Sequence, residues 1–186
     1  NTAAYTSPRY QLPAINGGVS ANAAFFLKDD AGVGSDKNDY ALGASYENVE
    51  MDLTAGVQLI KVDGRIISGF PSPAGNAARV HGAYGGLPNW NFGASFEYVD
   101  VEGIDKGRKY FFGSATYQLM PDLKLAAAIG GTKDTPFDGV GFTGGAFYTF
   151  FKDLTAYAGG RYVSLDAGNT FTVSTGLSYT FDVDLK

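Results

Sequence analysis

Large apolar and small polar residues alternate one by one along most of this chain. Over residues 40–47, Tyr40, Leu42, Ala44 and Tyr46 fall on one side and Ala41, Gly43, Ser45 and Glu47 on the other. Residues 51–59 set Met51, Leu53, Ala55, Val57 and Leu59 against Asp52, Thr54, Gly56 and Gln58. Residues 171–181 do the same with Phe171, Val173, Leu177, Tyr179 and Phe181 against Thr172, Ser174, Gly176 and Ser178. Only a β-strand sends successive side chains to opposite faces. Ten such segments are predicted, near 19–29, 38–48, 51–62, 77–87, 89–100, 107–119, 122–133, 138–150, 153–165 and 168–182. They cover about two thirds of the chain, well above the strand share of an ordinary soluble domain. Each is at least as long as the roughly 9–11 residues that carry a tilted strand across a bilayer.

The connections alternate in length. Short ones fall at Val49-Glu50, Pro88, Met120-Pro121 and Phe151-Lys152; longer ones fall at 30–37, 63–76, 101–106, 134–137 and 166–167. The short set recurs roughly every 30 to 40 residues, which marks an internal repeat of one hairpin. Each short turn leads into an Asp or Asn and then a large apolar residue: Asp52-Leu53, Asn89-Trp90, Asp122-Leu123 and Asp153-Leu154. An even strand number returns both ends of the sheet to the short-turn side.

Composition removes several alternatives. An aromatic share of 15% excludes a disordered chain, and the 26 glycines follow no Gly-X-Y period, which excludes collagen. With no Cys there is no disulfide framework, thiolate metal site or cysteine nucleophile. His81 is the single histidine, so no multi-histidine metal centre forms. The net charge is −5, and no basic cluster stands beyond Arg108-Lys109, so nucleic acid is not an expected partner. No apolar run is long enough for a helix to cross a membrane. A start at Asn1 without Met points to a processed chain whose signal peptide is gone, or to a trimmed one.

One strand face is too apolar for water, with Val19, Ala21, Ala23, Phe25 and Leu27, then Leu123, Leu125, Ala127 and Ile129. The other is polar and small. Aromatic placement decides which face is outside. Trp90, Phe92, Tyr117, Tyr148, Phe150 and Tyr179 gather near the short turns, and Tyr98, Phe111, Phe142, Tyr162 and Phe171 near the loops, as two interfacial girdles require. The last strand reads Gly176-Leu-Ser-Tyr179-Thr-Phe181. With that strand and these turn lengths the chain resembles the Gram-negative outer-membrane β-barrel class, in its small porin-like form. The resemblance implies an outer-membrane location, membrane lipid and lipopolysaccharide around the barrel, and recognition of Gly176–Phe181 by the barrel-assembly machinery. Asp182-Val-Asp-Leu-Lys186 continues past the Phe and departs from that pattern, as a natural extension or a remnant.

The expected fold is all-β: an antiparallel transmembrane β-barrel of about 10 strands, with short periplasmic turns and longer extracellular loops. Eight or 12 strands are the alternatives, depending on whether 1–18 adds strands or a hairpin is miscounted. Residues 1–18, with Pro8 and Pro13, make a poor strand and are expected as a plug or a periplasmic extension. Residues 19–182 form the barrel and 183–186 a C-terminal extension.

Expected on the inner face are Lys28, Glu47, Gln58, Arg79, His81, Glu97, Lys124 and Arg161. Arg79 and His81 share the polar side of one strand, either as a catalytic or substrate-gripping pair or as groups hydrogen-bonded to Glu47, Glu97 or water. The second reading is favoured: position 83, where a small-barrel deacylase would need its serine, is Ala. The near balance of Arg79, His81, Lys124 and Arg161 against Glu47, Asp52 and Glu97 implies only mild ion selectivity. The apolar loop 63–76 makes Ile66, Ile67 and Phe70 candidates for a constriction, against packing on the surface or contact with a partner. Asp29, Asp30 and Asp36 lack the closing Glu of a calcium loop and read as solvated. No enzyme, cofactor or metal is expected. The leading role is a porin-like channel for water and small solutes. The alternative is a non-conducting interaction barrel, an adhesin, receptor or envelope-complex subunit, acting with a protein partner or as an oligomer.

Overall fold

The computed structural model describes residues 2–26, 39–62, 65–67, 70–72, 74–151 and 154–179. These form β1 (Thr2–Thr6), β2 (Tyr10–Leu12), β3 (Gly17–Phe26), β4 (Asp39–Asn48), β5 (Leu53–Val62), β6 (Arg65–Ile67), β7 (Phe70–Ser72) and β8 (Gly75–Tyr84). The run continues with β9 (Trp90–Val101), β10 (Arg108–Met120), β11 (Leu123–Lys133), β12 (Gly139–Phe151), β13 (Leu154–Leu165) and β14 (Gly168–Tyr179). The helical content of the described residues is one 3-10 turn at Pro13–Ile15, and no helix among them is long and apolar enough to cross a membrane. The ten expected segments are β3 to β5 and β8 to β14, each paired antiparallel with its neighbours.

Three expectations need correction. The main sheet has 12 strands rather than 10, because β1 and β2 both pair with β3. The segment 1–18 therefore adds strands, and Thr2–Thr6 and Tyr10–Leu12 lie in the sheet rather than as a plug or an extension. Its prolines punctuate these strands instead of preventing them. Pro8 lies between β1 and β2, and Pro13 opens the 3-10 turn, where a missing N–H costs nothing. That turn is tied to the neighbouring hairpin through Asn48, which is 3% exposed. Asn48 Nδ2 donates to the Ile15 carbonyl at 3.0 Å, and its Oδ1 accepts from the Met51 N–H at 2.9 Å. Finally, among the described residues no ladder joins β14 to β1, so the sheet is not closed. Five-residue β1 cannot cover the 12-residue edge that β14 presents. The loop 63–76 holds a separate hairpin of β6 with β7, in which Ile67 pairs with Phe70.

The hairpin repeat has a structural cause. Asp52 and Asn89 adopt left-handed φ values of 47° and 66° at the exits of their turns, a conformation that Asp and Asn tolerate better than most residues. The carbonyls of Asp52, Asn89 and Asp122 each accept a backbone N–H from the following hairpin: Gly85, Gln118 and Thr149, each at 2.8 Å. The repeated residue thus stitches one hairpin to the next at the short-turn rim.

Burial identifies the faces. Among the described residues no apolar side chain is buried. Phe171, Leu177 and Phe150 are 68%, 70% and 53% exposed. In water each such side chain would forfeit on the order of 1.5–3 kcal/mol, so the apolar face needs a hydrocarbon solvent. The three alanines in a row on β11 separate face from residue type: Ala126 and Ala128 are half-buried and Ala127 is exposed. The small-residue face is therefore the inside of the curve and the apolar face the outside. Girdle aromatics meet on that outer face, with Trp90 and Tyr117 centroids 4.7 Å apart and Tyr148 edge-on to Phe150 at 4.7 Å.

Two outcomes follow. Leu125→Arg, on the outer face, should cost on the order of 2–4 kcal/mol in refolding titrations into lipid, and Ala126→Arg much less; equal costs would mean a register wrong by one. A cysteine at Lys106 should label from outside intact cells and one at Pro88 should not, because the short turns belong on the periplasmic side.

Candidate functional site

The strand register assembles the inner face row by row. One row runs from Glu47 through Thr54, Ala83, Gly93, Ser114, Ala128 and Thr143 to Arg161 and Thr172. The next runs from Ser45 through Gly56, His81 and Ser95 to Phe112, and a third from Gly43 through Gln58, Arg79 and Glu97 to Tyr110. Glu47, Gln58, Arg79, His81, Glu97, Lys124 and Arg161 thus all share the expected face. Lys28 lies outside the described residues, as do Asp29, Asp30 and Asp36. Ile66, Ile67 and Phe70 belong to the β6–β7 hairpin by backbone, but their side chains are outside the description.

The register brings Arg79 and Glu97 together. Arg79 Nε donates to Glu97 Oε2 at 2.5 Å, and its Nη2 reaches the same oxygen. His81 sits over Gly56, where a side chain would meet the imidazole at 2.7 Å. Glu47 pairs with Arg9, Nη1 to Oε2 at 2.9 Å, and Arg9 also donates to the Glu47 carbonyl at 3.2 Å. The Arg9 stem lies over Gly18. Sequence reasoning missed Arg9 because it treated 1–18 as outside the sheet. Asp52 belongs to the β4–β5 turn rather than to a strand, which removes it from the inner face.

Four aromatics on the inner face were also missed, although the alternation marks them: Tyr110 and Phe112 at the ends of the rows above, and Phe147 and Tyr157. Phe147 has the parity of Gly145 and Thr143, and Tyr157 that of Gly159 and Arg161. Their ring centroids are 6.2 Å apart, and Lys124 Nζ stands 5.5 Å from the Phe147 centroid. Above this pair the wall sinks into a recess of about 460 Å³ that Arg161, Thr172, Ser174 and Thr116 also line. Its floor is Gly145 facing Gly159. Here the strands approach so closely that a Cβ on Gly159 would lie 2.8 Å from the Gly144 carbonyl, and one on Gly145 2.9 Å from the Ala158 carbonyl.

Two acids of the 134–138 loop are held by lysines at the ends of β10 and β11. Asp134 accepts from Lys109 Nζ at 2.6 Å, which lowers its pKa. The backbone N–H of Thr135 donates to Asp138 at 2.7 Å and, with Lys133 beside it, pushes the Asp138 carboxyl down to about 2. No metal-binding cluster of acids and His exists among the described residues.

A family profile described as Gram-negative porin matches residues 1–169. No curated protein matches the chain. Among solved structures, a loop-deletion mutant of OmpT, an outer membrane protein of Vibrio cholerae, superposes with a TM-score of 0.57 at 17% identity. That match covers 96% of this chain and 62% of the other, so the chain spans about three fifths of the structure it resembles. At that identity the likeness is one of fold.

The close approach of Gly145 and Gly159 is testable. Gly159→Ala drives a methyl group into backbone and should cost about 1–3 kcal/mol in refolding titrations. Gly144→Ala, whose Cβ would lie 3.8 Å from the nearest carbonyl, should be close to neutral.

Proposed function

The chain belongs to the Gram-negative porin family and lies in the Gram-negative outer membrane as a β-barrel protein, and on that premise we propose that it forms a channel for passive diffusion of water and small solutes. The observation that carries this reading is the row between Glu47 and Arg161. Its six intervening residues are Thr54, Ala83, Gly93, Ser114, Ala128 and Thr143, none larger than threonine. A barrel that carries no traffic is filled by its own large side chains; these leave the inside of the curve to water. The proposed role is not enzymatic: Arg79 is taken up by Glu97, and His81 fills the gap over Gly56.

The proposed surroundings are membrane lipid and lipopolysaccharide against the outer face, with the barrel-assembly machinery acting on the strand that leads to Phe181. A second reading, a non-conducting interaction barrel with a protein partner or further copies of itself, draws support from the β6–β7 hairpin, which forms its own sheet apart from the wall. Planar-bilayer recording on the purified chain separates the two. The channel reading expects stepwise conductance. Silence both in the intact chain and after shortening of 63–76 would favour the interaction barrel.

A further inference from the structure

The charges of the inner face are sorted by strand. From β3 to β9 the described inner face carries Asp39, Glu47 and Glu97, of which Glu47 is compensated by Arg9 and Glu97 by Arg79. From β10 to β14 the described inner face carries Arg108, Lys124 and Arg161 and no carboxylate. The acids of that half, Asp122, Asp134, Asp138 and Asp166, all sit in turns and loops. This cationic wall belongs to a chain whose net charge is −5, so it runs against the composition. Backed by hydrocarbon, the wall cations face less dielectric screening than the same charges in bulk water.

The recess lies within this wall. Arg161 and Tyr157 stand on the same face of β13, four residues and so about 13 Å apart. Between them Gly145 and Gly159 leave a bare floor, with the hydroxyls of Thr116 and Ser174 in the same row. At the short-turn end the Phe147–Tyr157 pair offers ring faces beneath Lys124. A cation at each end, ring faces at one end and a floor without side chains fit a planar organic anion better than a bare inorganic one.

We infer that the wall formed by β10 to β14 selects anions, and that the recess between Arg161 and the Phe147–Tyr157–Lys124 cluster holds a ring-bearing carboxylate in transit. This names the solute class of the proposed channel and rests on that reading. The carboxylate meets Arg161 or Lys124, and the ring lies on the aromatic pair. An ordinary cation on this wall would find no acid to exchange with.

The test uses the purified full chain with three probes: benzoate, with ring and charge; acetate, with charge alone; and benzyl alcohol, with ring alone. Reversal potentials in a potassium chloride gradient should show chloride preferred, and Arg161→Gln should move the ratio toward unity. Benzoate should reduce the chloride current at about tenfold lower concentration than acetate, and benzyl alcohol should not reduce it. Tyr157→Ala should shrink the benzoate-over-acetate ratio. Lys124→Gln, at an exposed strand end, gives a second variant should the tyrosine change impair folding. Saturation-transfer NMR on the detergent-solubilised chain reads benzoate binding without any need for current. Current with no chloride preference, or with equal responses to benzoate and acetate, overturns the inference and leaves the channel standing. Benzoate binding that Arg161→Gln abolishes, in a chain that passes no current, overturns the channel and upholds the site. Absence of both current and benzoate binding overturns the two together.

Discussion

Hydrocarbon offers no partner to a backbone amide, and that constraint organises this chain. Every N–H and C=O at membrane depth has to be satisfied within the sheet. Once the ladders from β3 to β14 are in register, the period of two decides which side chains meet lipid and which meet the interior. Even the short-turn rim obeys this rule, since the carbonyls of Asp52, Asn89 and Asp122 extend the pairing from one hairpin to the next. A residue that reads in sequence as a turn marker is in the structure a joint between repeats.

Small residues then do the work that a hydrophobic core does in a soluble domain. No apolar side chain is buried among the described residues, so packing against a core is not what holds these strands together. Cohesion comes from the ladders, from the solvent preference of the outer face, and from close backbone approach where bulk is absent. Gly145 and Gly159 are the clearest case. Their missing side chains let β12 and β13 approach and at the same time open the recess in front of Arg161. One sequence choice thus serves both cohesion and an unfilled interior.

The strands, both faces and the aromatic girdles were legible in the sequence, because alternation records on which side of a sheet each residue lies. The Arg79–Glu97 pair was half legible: both positions read as inner-face, but which acid met which base depended on register. What alternation could not carry was pairing over long sequence distance. Arg9 reaches Glu47 across 38 positions and is invisible until β2 is placed on β3. The prolines misled for a related reason. Pro8 and Pro13 forbid a strand through themselves, yet say nothing against short strands on either side. Phe147 and Tyr157 were hidden by the habit of assigning aromatics to the lipid girdles, although their parity was plain.

The same dependence on register governs the electrostatics. Summed along the chain, the charge is negative, which on its own suggests a preference for cations. Position reverses that expectation. The loop acids Asp134 and Asp138 are held by Lys109 and Lys133 at the rim, where water and salt confine their field to a Debye length of about 8 Å. Among the described residues the wall cations Arg108, Lys124 and Arg161 have no such carboxylate partners, and hydrocarbon rather than water lies on the outer side of their strands. In the proposed channel a solute moving along β10 to β14 would pass Arg161 and Lys124 where the loop charges are already screened. On the proposed channel reading the sign that matters for passage is that of the strands: Arg108, Lys124 and Arg161 make the described wall of β10 to β14 positive, while Arg9 and Arg79 neutralise Glu47 and Glu97 on the opposite half.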